Sequence, residues 1–246
     1  MFWWDAALLG ICIMGATLYN RSSTRTLVPT WRKALFYAGL SGFAILCTGP
    51  LARAALNDFE LHMVQHVGLM MLVAPALVLG APVRVWAERQ PDRVTGLLSN
   101  PALKLLLNPR TGFMLFVSTL FATHFSSLAS WANSNVHVHQ GVLLLFVFSG
   151  FIYYYAVLDG NPLPAPTPHA IRIISLLAMM VPETMTGFFL YASSHTFHAE
   201  TGMDALTQQR AGGALMWAAA MAIDTIWIAV AVRDWLADEE VKSRAL

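Results

Sequence analysis

Along this 246-residue chain, apolar runs of about twenty residues alternate with short polar connections. A helix needs roughly 20 apolar residues to cross a bilayer. Seven runs approach that length: Trp3 to Tyr19, Ala34 to Ala52, Leu61 to Ala81, Gly112 to Ser130, His139 to Val157, Ile171 to Ala192 and Gly212 to Val232. The pattern predicts an all-α polytopic membrane protein with seven transmembrane helices, forming one integral membrane domain over residues 1–246. The first run carries Asp5 near its start and lacks a basic leading segment, so it reads as a span and not as a cleaved leader.

The connections refine this picture. In the longest, Val83 to Thr111, Asn100 can cap a short apolar helix with Pro101 at its first position, ending before Pro109 and lying along the membrane interface. The segment DGNPLPAPTPH has four prolines between Pro162 and Pro168 and should be extended and stiff. Basic residues collect on alternate connections. With the N-terminus outside, the cytoplasmic side receives 13 of the 15 Lys and Arg, Arg25 among them, and only Arg53 and Arg210 remain outside. That asymmetry predicts an odd number of spans and a cytoplasmic C-terminus.

Composition supports the membrane reading. The chain is 57% hydrophobic and 12% charged, where a soluble chain is about 25% charged, so a polar surface around one large core cannot be assembled. The formal net charge of +1 and the lack of Lys/Arg runs argue against a nucleic-acid partner. Cys12 and Cys47 lie inside apolar runs, form no CxxC and read as packing residues, although two touching helices would let them meet copper(I).

The candidate chemistry concentrates in Asp58 to Pro82, DFELHMVQHVGLMMLVAPALVLGAP, where Asp58, His62, His66 and Met70 follow one another at intervals of four. Helical spacing stacks them in one stripe. Imidazole and thioether suit a soft transition metal, copper(I) above all, and Asp58 is placed to orient an imidazole. Each residue rises about 1.5 Å, so Met70 lies ~12 Å below His62, too far to share an ion with it. A lone His near an interface is ordinarily just an amphipathic side chain, and a lone Met a core filler. The distribution is more telling. His62, His66, His124, His137, His139, His195 and His198 all fall at the outer ends of spans, and only His169 falls on the other side. His62 and His66 are first ligands on this reading, His124 and His139 complete a site from adjacent helices, and Met70 is a deeper, softer ligand. His137 is two residues from His139 and cannot share its face, and His195 and His198 rank below the others.

Glu183 and Asp224 lie inside spans, where a charge is costly, so each is a functional candidate or a hydrogen-bonded link between helices. Pro182 frees a carbonyl that a protonated Glu183 could meet. Two other chemistries compete with copper handling, beside a metal-free scaffold that merely holds a partner during assembly. A haem-binding redox protein would pair His62 or His66 with His124 or His139 across one haem, and a proton-coupled transporter would be built on Glu183 and Asp224. No nucleophile, phosphate loop or catalytic carboxylate motif points to an enzyme.

The stretch LHMVQHVGLMMLVAPALVLGAP resembles the signature of the seven-span CtaG-type assembly factors for caa-type cytochrome c oxidase. The likeness continues through Thr123 and His124, the histidines that precede the fifth span, and QQRAGGALMW from Gln208 to Trp217. The resemblance implies a multi-pass protein of the bacterial cytoplasmic membrane whose partners are the lipid bilayer and a haem-copper cytochrome c oxidase subunit. It implies copper as the cargo, with the family's histidines falling on His62, His66 and His124. Members often carry an Asp just before the Gln pair, where this chain has Thr207 and a nearby Asp204.

Overall fold

The structure is a computed structural model that describes residues 2–24, 26, 28–158, 160–197 and 203–244. Arg25 and His198 lie outside the described residues. The described residues are helical with no strand.

Helix α1 (Phe2–Ser23) runs from an end where Trp4 Nε1 donates to His137 Nδ1 (2.7 Å) and Asp5 pairs with Arg53 (3.1 Å). It finishes at the other end, where the Tyr19 hydroxyl donates to the Gly80 carbonyl (2.7 Å). These are called here the histidine end and the opposite end. Helix α2 (Thr30–Cys47) returns to the histidine end and stops at Thr48, whose backbone is extended, and Gly49 then takes a positive φ of 76°. The second predicted span is thus broken. Its last residues belong to a separate short helix, α3 (Gly49–Ala54), because a left-handed Gly followed by Pro50 ends the helical path.

Helix α4 (Phe59–Val67) begins on Asp58, whose Oδ1 accepts from the Leu61 N–H (3.0 Å). The carboxylate is therefore the N-cap of the helix. The helix continues into a π-helical segment (Gly68–Val73), then α5 (Ala74–Leu79). A π turn holds an extra residue and shifts the register of the side chains that follow. Two neighbours support it here. Trp227 Nε1 donates to the Met71 carbonyl (2.9 Å), and a Cβ on Gly150 would stand 2.6 Å from the Met70 carbonyl, so only glycine lets the neighbouring helix approach.

At the opposite end lie α6 (Pro82–Arg89), α7 (Pro91–Leu98) and α8 (Pro101–Leu106), the last capped by Asn100 Oδ1 on the Ala102 N–H (2.9 Å) as its sequence predicts. Helix α9 (Pro109–Phe125) rises to the histidine end and bends by 67° at Ser126 into α10 (Ser127–Ser134). The fourth predicted span is therefore kinked near its end. The Ser126 side chain accepts from Leu128 N–H and so caps a new helix instead of extending the old one. Helix α11 (Val136–Val157) descends, α12 (His169–Ala192) rises after the proline-rich connection, and α13 (Met203–Arg244) descends again.

Helices α12 and α13 cross backbone to backbone. A Cβ on Gly187 would lie 2.8 Å from the Gly213 carbonyl, and one on Gly213 would lie 2.7 Å from the Tyr191 nitrogen. Small residues let two apolar helices approach backbone to backbone. The adjacent Gly212 brings α13 against Phe59 and Met63 of α4. The paired glycines of QQRAGGALMW thus hold α13 against two helices at once.

Four described helical stretches are long and apolar enough to cross a membrane: Phe59–Arg89, Val136–Val157, His169–Ala192 and Asp204–Arg244. Counting α9 with α10 makes five. Helix α2 is not among them, because Arg32 and Lys33 fall in its first turns. The outward face of α12 is apolar. Ile171, Ile174, Leu177, Val181 and Phe188 are all exposed, a stripe that a water-facing helix would fill with polar residues.

Candidate metal centre

The first turns of α4 point His62 inward, one turn above His66. Their rings meet edge to face with centroids 4.1 Å apart. His139, in the first full turn of α11, lies 5.1 Å from His62, and His124, at the end of α9, lies 5.3 Å from His66. The order His139, His62, His66, His124 is a continuous file of four buried imidazoles drawn from three helices. Phe146 closes one side, with its ring centroid 4.4 Å from that of His66.

Backbone carbonyls orient two of these rings. His124 Nδ1 stands 2.7 Å from the Leu120 carbonyl, and His62 Nδ1 stands 3.3 Å from the Ala55 carbonyl. A carbonyl only accepts, so the proton sits on Nδ1 in both rings and Nε2 keeps its lone pair. Metal-binding histidines are commonly held this way, by a hydrogen bond from the nitrogen that does not ligate. Thr123, whose Oγ1 lies 3.1 Å from His124 Nδ1, donates to the Thr119 carbonyl and braces the same turn. His124 Nε2 faces His66 Nδ1 at 3.4 Å. Two nitrogens bound to one tetrahedral metal at about 2.0–2.1 Å stand about 3.3 Å apart. His139 is 1% exposed, and neither of its ring nitrogens has a hydrogen-bond partner.

Among the described residues, no three His, Cys, Asp or Glu side chains close on one point as a finished metal cage. The donors fit a soft metal by chemistry and by pairs.

Two spaces flank the file. The larger is an open cavity of about 460 Å³, lined by His62, His139, Asn57, Asp58, Asn133 and Gln208 among others. This vestibule has a mixed lining with one carboxylate, Asp58. The smaller, about 10 Å³, lies deeper and is lined by His66, His124, Met70, Met71, Met216 and Glu183 with apolar neighbours. Met70 therefore joins His66 and His124, not His62. The strict four-residue stripe ends where the π segment begins.

The remaining predicted residues separate from this group. His137 accepts from Trp4 at the exposed start of α11, and His195 is exposed beside Phe197. His169 pairs with Asp238 at the opposite end (2.8 Å). Asp204 is exposed in the first turn of α13. Glu183 and Asp224 are each 1% exposed and face each other beside Tyr154, and no other group among the described residues hydrogen-bonds their oxygens. The role expected of Pro182 is not met, since Glu183 makes no hydrogen bond to a freed carbonyl. Thr186 Oγ1 instead donates to the carbonyl of Pro182 itself (2.7 Å).

Sequence reasoning missed several residues. Gln209 is 1% exposed. Its Oε1 accepts from Phe197 N–H (2.8 Å), while its Nε2 donates to the carbonyls of Leu190 and His195, tying down the segment that walls the vestibule. Gln65, between the two histidines of α4, donates to the Leu46 carbonyl (2.5 Å) and fixes the rotation of that helix. A polar amide inside an apolar run is the signal that could have found Gln65, and Gln209 lies in the QQRAGGALMW stretch whose pairing the sequence alone does not show.

The comparisons with known proteins come to one description. A family model described as cytochrome c oxidase caa3 assembly factor matches residues 13–238. An uncharacterized protein of Mycobacterium leprae is 27% identical over 94% of this chain and 38% of its own length. Uncharacterized proteins of Mycobacterium bovis and Mycobacterium tuberculosis are each 27% identical over 87% of this chain and 36% of their own length. The chain thus spans under two fifths of the length of these relatives. No solved structure matches it.

Proposed function

The chain belongs to the cytochrome c oxidase caa3 assembly factor family, and from that premise we propose that it binds copper on its histidine file and delivers it to a maturing haem-copper oxidase subunit. The observation that carries the reading is the file itself, four buried imidazoles in mutual contact with carbonyl-oriented rings and an open vestibule at the His139 end. Burying four imidazoles in an apolar bundle is costly unless they are partnered. Closely spaced soft donors let a copper ion pass between ligands by exchange, with no change of oxidation state.

On this reading the bundle sits in the bacterial cytoplasmic membrane with seven crossings and its histidine end outward. The basic residues favour that orientation. Trp4 in α1 and Arg32 and Lys33 in α2 lie near the helix ends, where interfacial anchors belong. The vestibule then opens where an incoming copper carrier and an oxidase subunit are both accessible. The role is delivery and not catalysis.

Metal analysis of the purified protein tests this. The native chain should carry stoichiometric copper, and His62→Ala combined with His66→Ala should carry none and leave the oxidase short of copper. Full copper together with full oxidase maturation in that double variant would sink the proposal.

A further inference from the structure

We propose that the vestibule is the single mouth of the histidine file and seats one extended peptide segment at a time, so that the donor and the recipient of copper dock there in turn. This names the route and the partner chemistry of the copper reading and rests on it. The two ends of the file are unlike. At one end His62 and His139 line an open space of about 460 Å³. At the other, His124 is fully buried, and the file meets a void of about 10 Å³ whose apolar wall, with Phe116, Leu120 and Phe146, presents no imidazole nitrogen or carboxylate oxygen. A void of that size holds one water and is no passage for an ion with its ligands. Phe116 in turn packs on Tyr153 and Tyr154, both fully buried. Among the described residues, copper that enters at His139 therefore leaves by the way it came.

The vestibule is far larger than an ion. Its volume falls in the range of sites that enclose a whole small ligand, with room for one segment of a few residues and not for two. Its lining combines apolar Phe59 and Val136 with the amides of Asn57, Asn133 and Gln208. A side-chain amide offers a donor and an acceptor together, as each peptide unit does. The one carboxylate, Asp58, already accepts from the Leu61 N–H through Oδ1. A lining of this kind suits a neutral peptide better than a highly charged chelate. His139 is the group aimed at the occupant, since it lines the space, is buried, and has no partner at either ring nitrogen. An unpartnered polar ring is costly at a dry wall unless a ligand meets it.

On loading, a bond from copper(I) to a thioether sulfur of the segment breaks as one to a ring nitrogen of His139 forms, and release is the reverse. Thioether and imidazole are both neutral, so no proton or electron moves and the ion keeps its charge. Ring contacts of 5.1 Å to His62 and 4.1 Å on to His66 continue the path inward. Loading and release need the same imidazole through the same opening, so the first segment must leave before the second arrives.

The tests use the purified full chain and two sources of copper: Cu(I) in acetonitrile, and Cu(I) on an end-blocked pentapeptide of alternating glycine and methionine, dye-labelled where binding is read. The protein should load from both. One labelled peptide should bind per chain, and the empty unlabelled peptide should displace it competitively, with an apparent Kd that rises in proportion to competitor without limit. Ala205→Trp fills the vestibule from the first turn of α13. It should weaken peptide binding about 100-fold, as misplacement at a reacting site does, and still take up Cu(I) from acetonitrile to full stoichiometry. Loading from acetonitrile but not from the peptide overturns the peptide occupant. Displacement that levels off means two peptides on one chain and overturns the single mouth, as does a folded Ala205→Trp variant that binds and unloads the peptide like the unaltered protein. No copper from either source overturns the copper reading itself. The displacement experiment needs no variant, so it decides the matter even where Ala205→Trp fails to fold.

Discussion

At the turn between α5 and α6, buried polar groups are matched with partners. Asn161 Oδ1 accepts from the N–H groups of Val83 and Arg84, and its Nδ2 donates to the Val78 carbonyl (2.7 Å). Tyr19 donates to the Gly80 carbonyl, and Arg32 to that of Leu79 (3.0 Å). The knot holds Ala81 at a left-handed φ of 53°, a conformation an alanine adopts only when its surroundings insist. At the histidine end His139 is more deeply buried than Asn161 and neither of its ring nitrogens has a partner, and just below it Glu183 and Asp224 meet only each other. Both regions bury polar side chains in an apolar bundle. One uses them to fix the chain, and the other keeps them available, which is what a binding site requires and a purely structural end does not.

The contrast is sharpest in stability. Asn161→Ala removes three hydrogen bonds and strands two N–H groups at the start of α6. At about 1 kcal/mol each, the loss should be about 3 kcal/mol, seen as a lower thermal midpoint in detergent. Copper stoichiometry should not change. A variant that lost copper while keeping its midpoint would erase the distinction between the two ends.

How much of this the sequence carried depended on whether the signal was local. His62 and His66 are one helical turn apart, and His124 and His139 fall at span ends, so alternation of spans was enough to bring all four to one end. His139 was preferred over His137 for the same reason, since only one of two residues at that spacing can face inward. Asn100 and Pro101 announced α8 by their own chemistry. The π segment carried no such mark. It depends on Gly150 and Trp227, which lie in other helices, and it moved Met70 from the file to the cavity beneath. The breaks at Thr48 and Ser126 carry local marks, Gly49-Pro50 and Ser126-Ser127, but each is flanked by apolar runs long enough to read as one span. Glu183 was flagged by its charge, but its partners on the cavity wall were not, because Met216 reaches it only through the Gly187–Gly213 crossing.

His139→Phe probes the other side of the comparison. It replaces an imidazole whose nitrogens lack partners by an apolar ring of similar shape, next to a vestibule with room to spare. A buried polar group without hydrogen bonds costs about 1–3 kcal/mol. The midpoint should therefore hold or rise, by the equivalent of about 1 kcal/mol, while copper uptake slows. Destabilisation as large as that of Asn161→Ala would mean that His139 is a structural residue, and the histidine end would lose its claim to be different.

The smallest effect expected uses the same side chain at the other end. His169 lies in the first turn of α12 and pairs with Asp238 at 2.8 Å, with the carboxylate largely exposed. An exposed pair of this kind contributes below ~1 kcal/mol, since water screens it and two side chains must be held still to make it. Histidine at a helix N-terminus also gains nothing from the dipole there, which favours anions. His169→Ala should shift the thermal midpoint little and leave copper stoichiometry and oxidase maturation untouched. Both are measured in the same preparations as His139→Phe, so the pair asks one question of two imidazoles. If His169→Ala lowered copper loading as far as His139→Phe, loading would follow histidine count and not the file. Copper loss confined to His139→Phe would tie the chemistry to the buried imidazoles in contact with one another.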